Sequence, residues 1–178
     1  MHEINRERRR LLGGVALAAF AAPSFTAIGA RAQSDDDGDY VYEVTRSEEE
    51  WRERLSDFEY HILRNGGTEP RFSSSLWNEE REGHYNCRGC DLRLYDSEWK
   101  TIREIGWVFF RNSVPNSTLT GIDIVPAGYD EEDEMSVEEA MIETHCRRCG
   151  SHLGHILLVQ GDVLHCINGA SLEFTSSA

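Results

Sequence analysis

Five cysteines hold the reactive chemistry of this 178-residue chain, and four form two Cys-x-x-Cys pairs, Cys87/Cys90 and Cys146/Cys149. Four thiolates around one ion favour zinc in a closed tetrahedral site, which has no open position for a substrate. The pairs are 55 residues apart, so the fold must bring them together, and the metal is expected to be a structural staple. Disulfides within or between the pairs, or redox activity of the pairs, are the alternatives. Cys166 stands apart and follows three histidines, His145, His152 and His155. A thiol beside imidazoles has a lowered pKa and becomes nucleophilic. A buried, inert cysteine with surface histidines is the competing reading of the same residues.

The elements that must position these groups are short. Ser47 with Glu50 three residues on reads as a capped helix start, and Trp51, Leu55 and Phe58 recur at helical spacing. A further turn or two runs through Tyr60 to Leu63 until Asn65-Gly66-Gly67 stops it. From residue 84 the pattern is mostly β. His84–Cys87 enters the first knuckle and Leu92–Tyr95 leaves it. Gly106–Phe110 and Gly121–Val125 read as strands, with the acidic run Asp130–Glu134 as a solvated loop. Met141–Thr144 enters the second knuckle and Ile156–Gln160 leaves it. Gly161-Asp162 is the expected hairpin turn, and Val163–Ile167 returns. Alternation puts Leu164, Cys166 and Asn168 on one face of that strand and His165 and Ile167 on the other. His152 and His155 are expected in a short loop after Cys149. The fold class is a mostly-β domain of about residues 47–178 with a helical N-terminal cap.

The N-terminal residues read as an export signal. Arg8-Arg9-Arg10-Leu11-Leu12 leads into an apolar run, Val15–Ala22, and Ala30-Arg31-Ala32 offers an A-x-A cleavage pattern. The paired arginines resemble a twin-arginine signal, with Leu11 where that motif usually has Phe. Residues 1–32 are expected to be removed, 33–46 to form an acidic linker, and the product to be periplasmic or otherwise exported. Twin-arginine export of folded protein would let the metal site form before transport. Removal takes five of 18 basic and two of 32 acidic residues, leaving 13 and 30, a formal charge of −17. A field of that sign disfavours nucleic acid and anionic membrane surfaces as partners.

Cys146-Arg147-Arg148-Cys149-Gly150-Ser151-His152-Leu153-Gly154-His155, followed by Cys166-Ile167-Asn168-Gly169-Ala170-Ser171-Leu172-Glu173-Phe174, resembles the C-terminal half of the B-type methionine sulfoxide reductases. Asn65–Phe72, Glu82–Cys90 and Gly106-Trp107 resemble that family's upstream segments. The likeness runs from about residue 50 to residue 174. It implies a fold of two antiparallel sheets, the β-tent, around a structural zinc held by Cys87, Cys90, Cys146 and Cys149. Cys166 would attack the sulfoxide sulfur. His155, helped by His152, would protonate the sulfoxide oxygen, Asn168 would hydrogen-bond within the site, and Trp107 with Phe110 would bind the substrate. Cys166 would become a sulfenic acid. The family acts on the R-epimer of peptide-bound methionine sulfoxide.

The sequence departs from the family in several places. Gly106-Trp107-Val108-Phe109-Phe110 replaces Gly-Trp-Pro-Ser-Phe. Ile105 stands where some members carry a resolving cysteine, so an external thiol such as a thioredoxin-like protein is the expected reductant. The hairpin between His155 and Cys166 is about four residues shorter and lacks an acidic Gly-Pro segment. Leu164 and His165 replace an arginine and a tyrosine, and Gly169 a serine. These departures also fit a catalytically silent, zinc-stabilised binding module on the same scaffold.

Overall fold

The computed structural model describes residues 40–123 and 141–177. The leader expected over 1–32, the first part of the linker and the run Asp130–Glu134 lie outside the described residues. Ser47 accepts from the Glu50 amide, and the Glu50 carboxylate accepts from the Ser47 amide at 2.7 Å, opening α1 (Glu48–Arg54). This reciprocal pairing satisfies amides that a helix's first turn leaves without partners. The apolar spacing suggested that the stripe runs on to Phe58. Instead a second capping box, Ser56 with Glu59, starts a separate helix, α2 (Asp57–Asn65). Leu55 therefore ends α1 in an extended conformation, and Phe58 turns outward, 46% exposed. Gly66 ends α2 with φ at 68°, a left-handed conformation that costs glycine little.

The strands are β1 (Gly83–Cys87), β2 (Arg93–Asp96), β3 (Lys100–Thr101), β4 (Val108–Phe110), β5 (Thr118–Asp123), β6 (Met141–Cys146), β7 (His152–Val159), β8 (Asp162–Ile167) and β9 (Leu172–Ser176). One sheet has the order β2-β1-β9, the other β3-β4-β8-β7-β6-β5, and the paired strands run antiparallel. The mostly-β class, the two antiparallel sheets and the helical cap are those the sequence led us to expect. β7 begins earlier than expected, so His152 and His155 stand on a strand and not in a loop. The β7–β8 turn falls on Gln160 and Gly161, both at positive φ, with Val159 opposite Asp162.

The core joins residues of both sheets and both helices. Tyr95 stacks on Phe110 with ring centroids 4.3 Å apart, and Tyr85 meets the same ring edge-on at 5.0 Å. Trp51, Ile62 and Leu63 add the helical contribution, and the four knuckle cysteines belong to the same buried cluster. Residues 40–46, read as linker, lie along the second knuckle: the Val44 amide donates to the Arg148 carbonyl at 2.9 Å, and the Tyr40 hydroxyl to that of Arg147.

Candidate functional site

The two knuckles meet. Cys87 and Cys149 sulfurs are 3.7 Å apart, Cys90 and Cys146 3.5 Å, and the four lie within 4.8 Å of one another. Sulfurs at the corners of a tetrahedron with metal–sulfur bonds of about 2.3 Å would be about 3.8 Å apart. All four side chains are buried. The donor set, spacing and burial fit a closed four-sulfur metal site. Arg64 lies beside it, donating to the Cys149 carbonyl at 3.1 Å with its guanidinium over the Trp51 ring.

Cys166 occupies the middle of the larger sheet. Strand register sets Phe109, Cys166, His155, Glu143 and Gly121 opposite one another from β4 through β8, β7 and β6 to β5. Directly opposed residues share a face, so Cys166 stands between an aromatic ring and an imidazole. Gly154 brings β7 and β8 together here. A Cβ on it would sit 2.1 Å from the Cys166 carbonyl oxygen, so any larger residue would separate the strands. His165 points to the opposite face, its Nδ1 3.2 Å from the Tyr95 hydroxyl, as alternation required.

The imidazoles are each tied to a carboxylate. His155 Nε2 lies 3.1 Å from Asp123 Oδ2, and His152 Nδ1 2.6 Å from Glu143 Oε1. His145 Nδ1 is 3.7 Å from the other Glu143 oxygen. Burial works to raise the Glu143 carboxyl, but hydrogen bonds from His145 and His152 outweigh it and hold the group well below the usual carboxylate range.

Trp107, just before β4, and Asn168, just after β8, are joined through Glu69. The Trp107 indole donates to the Glu69 carbonyl at 3.0 Å, and Arg71 lies over its ring at 4.9 Å. Asn168 donates to the Leu153 carbonyl at 3.1 Å and accepts from the Glu69 amide at 2.9 Å. The Glu69 carboxylate, 2% exposed, accepts from the Gly169 and Ala170 amides at 2.6 and 2.9 Å. Phe110, expected beside Trp107 at the substrate, faces the core, and Phe109 is the residue aligned with Cys166. A three-residue strand buried on both faces offers no polar position to set its phase.

The expected activation of the thiol is corrected. Burial pushes Cys166 up to about 12, the nearby Glu69 charge adds to the rise, and Arg71 opposes it. At rest the thiol is protonated. Sequence reading missed Glu69, Asp123, Glu143, Arg71 and Phe109, whose places depend on the pairing of distant strands and segments.

The described residues form a small β domain with a four-cysteine cluster and a separate thiol paired with a histidine, and similarity to known proteins gives its family. The SelR domain model matches residues 55–176, and the chain belongs to that family, the B-type peptide methionine sulfoxide reductases. Peptide methionine sulfoxide reductase B3 of Arabidopsis thaliana is 36% identical over 76% of this chain and 72% of its own length. Peptide methionine sulfoxide reductase MsrB of Methanosarcina barkeri is 34% identical, covering 74% of this chain and 87% of that protein. MsrB of Leptospira interrogans is 32% identical, covering 75% and 96%.

Proposed function

We propose that this chain reduces the R-sulfoxide of peptide-bound methionine, with Cys166 as the nucleophile. The observation that carries the reading is the row Phe109–Cys166–His155: the one thiol outside the four-cysteine cluster stands opposite a carboxylate-bound imidazole. The Cys166 sulfur attacks the sulfoxide sulfur, and His155 protonates the oxygen. The sulfur–oxygen bond then breaks, methionine leaves, and the oxygen ends on Cys166 as a sulfenic acid. Two electrons pass from the cysteine to the substrate. A thiol held protonated by burial gives up its proton as substrate binds, and the buried imidazoles are the nearby groups able to take it. In this reading Trp107 holds the thioether's methyl group, and Phe109, paired with Cys166, backs the reacting sulfur.

The four-cysteine site holds zinc, which when bound serves as a staple without an open coordination position. Cys87, Cys90, Cys146 and Cys149 are then its ligands, so no cysteine is left to form an internal disulfide with Cys166. Reduction therefore falls to an external dithiol, which removes the oxygen as water and becomes a disulfide. Export by the twin-arginine-type leader is part of the reading, and finding the intact leader on exclusively cytoplasmic protein would contradict it.

Turnover of the R- and S-epimers of a methionine sulfoxide peptide with excess dithiothreitol tests the activity. R-specific turnover that vanishes in Cys166→Ser is expected. Folded, metal-loaded protein that turns over neither epimer would favour a silent binding module.

A further inference from the structure

We infer that Asp123 is the positioning residue for His155, a role that rests on the reductase reading above. His155 is 8% exposed on its side chain, and four titratable groups adjoin it by strand pairing, ring contact or hydrogen bond. They are Cys166 on β8, Glu143 on β6, its own neighbour His152 on β7, and Asp123 on β5. Glu143 is directly opposite His155 in register, yet its oxygens go to His152 at 2.6 Å and His145 at 3.7 Å. The acid of the adjoining hairpin, Asp162, aligns with Val159 and engages Arg103. Four residues of strand separate it from His155, about 13 Å at a rise of about 3.3 Å per residue. The carboxylate that reaches His155 comes instead from the sheet's edge strand. Asp123 aligns with Met141, two residues along β6 from Glu143, and its side chain crosses β6 to meet Nε2 at 3.1 Å.

An ionised carboxylate only accepts hydrogen bonds. Asp123 therefore keeps the hydrogen on Nε2, fixes the ring's orientation, and leaves Nδ1 as the atom that carries the exchangeable proton. In the sulfoxide step that proton leaves Nδ1 for the sulfoxide oxygen. Asp123 stabilises the imidazolium that precedes the transfer and does not itself give up a proton. Glu143 does the same for His152 through the other ring nitrogen, Nδ1, so the two imidazoles are held in opposite tautomers.

The test uses full-length, metal-loaded protein with 15N-labelled histidine, beside Asp123→Asn, Asp123→Ala and Asp123→Glu. The substrate is a blocked R-methionine sulfoxide, and dithiothreitol is the reductant. Wild-type His155 is expected in the Nε2–H form. Asn and Ala should lower kcat by about tenfold or more with KM within about twofold, as loss of an oriented general acid requires. Glu should recover part of that loss. An Nδ1–H tautomer in wild type overturns the inference even if the variants fold poorly, and so does unchanged kcat in Asn and Ala beside an active wild type. An inactive wild type instead defeats the reductase reading and removes the role with it, which separates the two failures.

Discussion

The same element sits in two opposite settings in this molecule. In the knuckles four sulfurs face one another at metal-ligand spacing, and their neighbours are core residues and the Arg64 guanidinium. At Cys166 one sulfur faces an imidazole and a phenyl ring across a sheet, and burial keeps it protonated. What marks Cys166 is the carboxylate-bound histidine beside it and its place outside the four-sulfur cluster.

The largest effect that can break this contrast is loss of the clip. Structural zinc is typically worth about 10–16 kcal/mol at pH 7, comparable to or larger than the whole stability of an ordinary domain. Cys146→Ser, or chelation of wild type, should unfold the domain, read as loss of near-ultraviolet circular dichroism. A chelated chain that keeps its native spectrum would end the staple account. Cys166→Ser should do the reverse, abolishing turnover while metal content and melting temperature stay close to wild type.

The next effect is on pH. The folded Cys166 thiol is raised to about 12 from an ordinary value near 9. Where the unfolded chain has lost that proton and the folded one retains it, raising the pH weakens the fold. Its stabilising contribution is complete below pH 9 and disappears as the pH rises towards 12. Denaturant unfolding across that window should show a steeper loss in wild type than in Cys166→Ser. Equal slopes would mean that the thiol is not desolvated in the fold.

Smaller effects sharpen the geometry around the site. Glu69→Gln leaves one of two buried amides facing an NH2 group and should cost about 2–3 kcal/mol, as lost hydrogen bonds to a charged group do. Its denaturation midpoint measures that. Trp107→Phe removes the bond to the Glu69 carbonyl, worth about 1 kcal/mol, and should raise KM several-fold with a smaller change in kcat. An unchanged KM would remove Trp107 from the substrate site.

Much of this was legible because it is local. Cys-x-x-Cys spacing marked the ligands, Ser47-x-x-Glu50 marked a helix start, and alternation set the face of Cys166. The second cap at Ser56 was hidden because the apolar spacing through Leu55 and Phe58 continues across the break. Phe109 and Phe110 could not be told apart because β4 is apolar on both faces. Asp123 and Glu143 look like ordinary strand acids until the pairing of β5, β6 and β7 sets them against histidines. The burial that raises the Cys166 thiol is likewise a property of the assembled sheet, and its neighbours in sequence gave no sign of it.

The central claim, one reacting sulfur and four ligating ones, is tested most directly by trapping the oxidised state. Metal-loaded wild type is mixed with R-methionine sulfoxide peptide and dimedone, without reductant, and read by intact and peptide mass spectrometry alongside metal analysis. The account predicts one dimedone adduct per chain, on Cys166, with the metal retained. An adduct on Cys87, Cys90, Cys146 or Cys149, or metal released in step with methionine formed, would contradict it.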